Sequence, residues 1–230
     1  MPYIKNLCIN MPPEFPAVPF TQLRKLQQTV LVTDGVQSAQ CKEFGLASNT
    51  IAWRYKAAHE ELSLLRGHYS QKNAPVDHED LYKREKAMFN FFTAGVSCIE
   101  TTIYAIAAYT SKVLSFDFTE KPQRACSPSA LNRWLKPYPK AEKLALETAE
   151  LSNSAEWGFL LEVRNRLSHR GNLPAIVCAS VGEAPREVNP LLFDRTTSTD
   201  PIDMNFEELS GHFDWITTTL ASLLTTTLEV

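Results

Sequence analysis

The chain predicts an all-α fold, a bundle of long antiparallel helices with one irregular insertion before the last helix. Three observations predict it. Glycine is scarce, at eight in 230 residues, and the 14 prolines gather in a few joints. Apolar residues recur at steps of three, four and seven over long stretches, the period of a helix face. The one segment without that period, 172–202, is rich in Pro, Ser, Thr and Val. It holds a single strand-like run, Ala175 to Ser180, which suits a short hairpin.

Taken in order, residues 1–19 are Pro-rich and predict irregular chain. Leu23, Leu26, Val30, Cys41 and Phe44 predict a helix broken near Asp34-Gly35. Ser48-Asn49-Thr50 is a start signal for a second helix, with apolar residues at 51, 55, 58, 62 and 65. Residues 70–76 form a joint. Asp77 then opens a long helix whose acidic first turn complements the helix dipole. Its stripe runs Leu81, Met88, Phe92, Val96, Ile99, Ile103, Ile106 and Val113. The organisation expected is an N-terminal helical extension over 1–75, packed on a helical domain over 77–230.

Ser127-Pro128 is a cap with proline at the first helical position, opening a helix through Leu131, Trp134 and Leu135. Pro139 starts the next. Asn153 with Glu156 resembles a capping box and opens a helix that ends in Leu160-Leu161-Glu162-Val163-Arg164-Asn165-Arg166-Leu167-Ser168-His169-Arg170, with Gly171 as the stop. Asn205 with Glu208 starts the last helix, through Leu209, Phe213, Ile216, Leu220, Leu223 and Leu224.

The charge balance limits the function classes. Net charge is -3, so a global basic footprint for nucleic acid is missing, and any such contact has to be local. Arg133, Lys136, Lys140 and Lys143 are one local basic cluster, suited either to RNA or to a plain solvated face. Five scattered cysteines form no CxxC or Cys/His group, so neither a zinc site nor a disulfide framework is expected. No metal and no cofactor is expected. The N-terminus lacks a signal-peptide core, and a reducing cytoplasm is the expected compartment. The most apolar window, Ala94 to Thr110, contains Glu100 and is shorter than the ~20 residues a membrane span needs. It reads as a buried core helix, and no membrane partner is expected.

The helix ending at His169 breaks the pattern. A helical residue turns by about 100°. With Arg164 as zero, Trp157 lies at about +20°, Leu160 at about -40°, Leu161 at about +60° and Leu167 at about -60°. Arg164 therefore sits inside the apolar arc, where a guanidinium has to be paired or face a cleft. Asn165 and His169, four apart, stack on one flank. Arg166 and Arg170 share another face, expected to be solvated. Arginine grips phosphate in bidentate fashion, and histidine exchanges protons near neutral pH. The same residues also suit carbonyl capping or a bridge between helices. Glu100, the one charge in the apolar half of the long helix, is placed either to pair with Arg164 or to stand at the solvent edge. His59, His68, His78 and His212 have no spacing partners and read as ordinary.

Arg164-Asn165-Arg166-Leu167-Ser168-His169 resembles the signature of the HEPN superfamily (higher eukaryotes and prokaryotes nucleotide-binding domains). That signature is an arginine, often followed by Asn, then His after four to six residues, late in a bundle helix. The resemblance covers about 77–230; residues 1–75 lie outside it, and the 172–202 insertion is longer than a minimal domain needs. It implies an α-helical domain that pairs as a homodimer, bringing two Arg/His sets to a shared cleft. It implies metal-independent RNA cleavage in toxin–antitoxin or phage-defence systems, with Arg164 and His169 catalytic and Asn165 supporting them. Glu100, Arg166 and Arg170 would be binding residues, and an antitoxin protein a partner. The resemblance equally covers non-catalytic members that bind a nucleotide or another protein. A plain helical scaffold without a site is the third reading.

Overall fold

The computed structural model describes residues 3–4, 8–30, 32–33, 36–70, 78–169, 175–178, 186–192 and 202–230, and of residues 3, 27–30, 32–33, 36–37, 169, 175–178, 186–192 and 202–203 the backbone alone. The protein is an all-α helical bundle, with eight helices among the described residues. They are α1 (Ala17–Val30), α2 (Ala39–Ser70), α3 (His78–Leu114), α4 (Glu120–Arg124), α5 (Pro128–Leu135), α6 (Glu142–Asn153), α7 (Ala155–His169) and α8 (Phe206–Thr227). Small strands decorate them. β1 (Tyr3–Ile4) pairs antiparallel with β2 (Ile9–Asn10), and β3 (Val32–Thr33) with β4 (Val36–Gln37). The insertion carries β5 (Ala175–Cys178), β6 (Arg186–Leu192) and β7 (Ile202–Asp203) as an antiparallel sheet in the order β5-β6-β7. One hairpin was expected there.

The chain forms two compact units. The first comprises 1–56, 97–158 and 215–230; the second comprises 57–96 and 159–214. In the first unit Met11 and Phe15 are buried, and the Phe15 ring meets Phe20 and Tyr55 edge-on, each at 5.1 Å. Tyr55 Oη and Thr217 Oγ1 share a hydrogen bond at 2.8 Å, tying α2 to α8. Tyr104 donates to Glu43 at 2.7 Å, and burial together with that bond raises its pKa. The Cys98 thiol, wholly buried on α3, is pushed up to about 12 by desolvation.

The start signal at Ser48-Asn49-Thr50 does not start a helix, because α2 runs through it. The capping side chains are occupied otherwise. Ser48 Oγ donates back to Gly45 O at 3.0 Å and Thr50 Oγ1 to Leu46 O at 3.1 Å, bonds that leave the backbone helical. The Arg24 guanidinium of α1 then donates to Ser48 Oγ and Asn49 Oδ1, at 2.9 and 2.6 Å. Long-range hydrogen bonds override the local signal.

The α3 stripe is buried from Met88 to Ile106, while Leu81 and Val113 are half-buried. Its most apolar window is 72% buried within the protein, as befits a core helix. α3 ends with Ser115 in the left-handed region (φ 60°), where Phe116 N donates to Ser111 O at 3.1 Å, the hydrogen bond of a Schellman ending. The Ser127 cap accepts from Ala130 N at 3.2 Å. At α8 the capping box is complete: Glu208 N donates to Asn205 Oδ1 and Asn205 N to Glu208 Oε2, both at 2.9 Å.

Candidate functional site

The start of α7 lies one residue beyond the expected cap. Asn153 still belongs to α6 and donates to Ala149 O at 3.0 Å. Ser154 is extended, at φ -68° and ψ 131°, and its Oγ accepts from Trp157 N at 3.2 Å. From this cap α7 buries Trp157, Leu160 and Val163. On the wheel these lie at about +20°, -40° and -100°, so the buried arc centres some 40° from Arg164 rather than on it. Arg164 is half-buried at the arc's edge. Its Nε is enclosed and makes no hydrogen bond, although the residue engages partners through other atoms. Asn165, the next residue, is exposed.

Arg166 corrects the expectation of a solvated face. Its side chain is only 14% exposed and ion-pairs with Glu162 one turn back, with Nη1 enclosed and unbonded. Phe159 sits seven residues before Arg166, and the His212 ring of α8 stacks on it at 4.9 Å and 28°. Phe92 faces the same imidazole at 6.1 Å. Phe159 thus meets a ring of α8 that the wheel alone does not show.

His169 is the last residue of α7; its side chain, with Arg170 and the expected stop Gly171, lies outside the described residues. The structure thus sets Arg164 and Asn165 side by side at the end of a capped, half-buried helix. Glu100 is exposed on α3 and belongs to the first unit, and Arg164 belongs to the second.

The sequence reading missed Arg84. It lies in the α3 stripe between Leu81 and Met88 and is 5% exposed. Burial draws its pKa below the ordinary arginine value, an effect that Tyr69 and Glu85 oppose. His68 is nearby: burial first, then the Arg84 charge, lowers its pKa, while Asp80 pulls the other way. Tyr69 is locked in place by donating to Met204 O at 2.6 Å, and Arg66 lies over the Phe206 ring at 5.2 Å. The signal that would have found Arg84 is the one that found Arg164, a guanidinium at a stripe position. The second unit thus encloses guanidinium nitrogens of three arginines, Arg84, Arg164 and Arg166. Such a unit can hold positive charge in a medium poorer than water, where it acts more strongly on an anion.

Comparison with family models, with curated proteins and with solved structures finds no match to this chain.

Proposed function

We propose that the protein is a metal-independent endoribonuclease of the HEPN type, working as a cytoplasmic homodimer in a toxin or phage-defence setting with an antitoxin as partner. The observation that carries the proposal is Arg164, a half-buried guanidinium on the edge of a bundle helix's core face. Exposed Asn165 follows it, and His169 closes the helix five positions on. RNA brings its own nucleophile, the 2′-hydroxyl. In the proposed step an imidazole takes the 2′-hydroxyl proton, O2′ attacks phosphorus, and the P–O5′ bond breaks. O5′ receives a proton, leaving a 2′,3′-cyclic phosphate and a 5′-hydroxyl. His169 serves as base or acid, an effect of roughly 10²–10⁴-fold. Arg164 stabilises the charge that builds on the phosphoryl oxygens, and Asn165 orients the phosphate or the ring.

The test is incubation with RNA in the presence of EDTA. Cleavage is expected to persist in EDTA, to give cyclic-phosphate ends, and to fall by at least ~10²-fold in Arg164→Ala and in His169→Ala.

A second reading, a non-catalytic module that binds a nucleotide or a protein, is favoured by the enclosed Nε of Arg164 and the net charge of -3. It predicts binding without cleavage, unchanged turnover of every RNA offered, and loss of binding in Arg164→Ala.

A further inference from the structure

The corner between α5 and α6 holds a cavity among basic and aromatic residues. α5 ends at Leu135, and the chain turns through Lys136 to Tyr138 into a 3-10 turn at Pro139–Ala141. Three backbone bonds make the corner tight: Lys136 N to Asn132 O, Tyr138 N to Leu135 O, and Ala141 N to Tyr138 O, each 2.9 Å. Phe116 backs it, its ring 6.2 Å from Tyr138 and 6.1 Å from Trp134. On the outer side a cavity of about 550 Å³ opens. Asn132, Lys136 and Tyr138 line one wall; Glu142, Ala145, Leu146 and Ala149, one face of α6, line the other. Leu146 is 59% exposed, an apolar side chain left uncovered in the cavity wall.

The charges around this cavity run against those of the chain. Arg133, Lys136 and Lys140 are all exposed, and among the described residues no ion pair holds them. Lys143, the fourth member of the basic cluster, is committed to Glu229, at 2.8 and 3.0 Å. Of these cations Lys136 lines the cavity, while Arg133 and Lys140 each follow a lining residue in the chain, Asn132 and Pro139; the walls offer a phenol ring, an apolar surface, one carboxamide and one carboxylate. Cations at the rim suit phosphates. A ring and an apolar wall suit a base plane. A carboxylate inside a basic rim repels phosphate but accepts from base N–H groups, and guanine alone offers two adjacent donors on its Watson–Crick edge. The volume falls within the range of small-ligand pockets.

We propose that the α5–α6 corner docks single-stranded RNA, with a guanine in the cavity against Tyr138 and Glu142 and backbone phosphates on Arg133, Lys136 and Lys140. This rests on the ribonuclease reading for its biological sense. It involves residues of the first unit, separate from Arg164 and His169.

The experiment is fluorescence anisotropy of the full chain carrying His169→Ala, so that RNA survives. The probes are a labelled 12-mer with a central guanosine and a labelled 12-mer of uridine alone. The guanosine probe should bind more tightly. Lys136→Glu with Lys140→Glu, at two exposed positions that leave the core untouched, should weaken both probes at least tenfold and flatten the dependence of binding on salt. Glu142→Gln should abolish the guanosine preference and leave the uridine probe unchanged. Undiminished binding by the double charge reversal overturns the proposal. So does a parent protein that binds neither probe, or one that takes guanosine monophosphate but gains nothing from the strand. Cleavage by the wild-type chain separates the two ideas. If it cleaves, and the double variant cleaves with the same KM, docking at the corner fails and the ribonuclease stands. If it cleaves nothing while the corner variants lose RNA, the ribonuclease fails and docking stands.

Discussion

Two ion pairs of the same kind show what burial does to a single residue. Glu120–Arg124 and Glu162–Arg166 are both spaced one helical turn apart. The first lies in solvent, its side chains 78% and 79% exposed; in the second, Arg166 is 14% exposed. A solvated pair of this spacing is worth about 0.3–0.5 kcal/mol. Removing the partner of an enclosed guanidinium leaves desolvated donors behind, at about 1–3 kcal/mol. Glu162→Ala is therefore expected to lower stability by about 1 kcal/mol or more, and Glu120→Ala by less than about 0.5 kcal/mol, in matched urea titrations. Arg164 was legible at this scale because its place in the apolar arc follows from helix geometry alone. Arg166 was not, since its 14% exposure depends on packing between helices, which is not written in a local wheel.

At the scale of elements, the capping signals were legible where side chain and backbone had no other offer. Asn205 and Glu208 cap α8, and Ser127 caps α5, as the sequence predicts. Ser48, Asn49 and Thr50 carry the same signal and cap nothing, because Arg24 claims two of them and α2 passes through. At α7 the cap moved by one residue to Ser154. Ser154→Ala should then cost about 1 kcal/mol in a thermal or urea melt, whereas Asn153→Ala should cost less. The end of α3 offers the opposite effect. Ser115 holds a left-handed conformation that glycine adopts without penalty, so Ser115→Gly should stabilise the protein by about 0.5–1 kcal/mol in the same assay.

For the molecule as a whole, the all-α bundle was legible because long stripes bury one face whatever their partners are. The division into two units was not, because it cuts α2, α3, α7 and α8 at points where the sequence carries no break. Stability against acid belongs to this scale. Burial and the Arg84 charge hold His68 below the ordinary imidazole range, so the folded protein binds fewer protons than the unfolded chain once the pH falls below about 6.5. Stability is then level above that pH and declines as the pH drops through the lowered folded value. The thermal midpoint should fall more between pH 7.5 and 5 in the wild type than in His68→Gln, and an equal fall would remove His68 from the account. The central claim, that the Arg164–His169 end of α7 cleaves RNA, is tested most directly by cleavage in EDTA. The account predicts RNA fragments with 2′,3′-cyclic phosphate ends from the wild-type chain, and a loss of at least ~10²-fold in folded Arg164→Ala and His169→Ala. Intact RNA from the wild type, or cleavage undiminished in both variants, would contradict it.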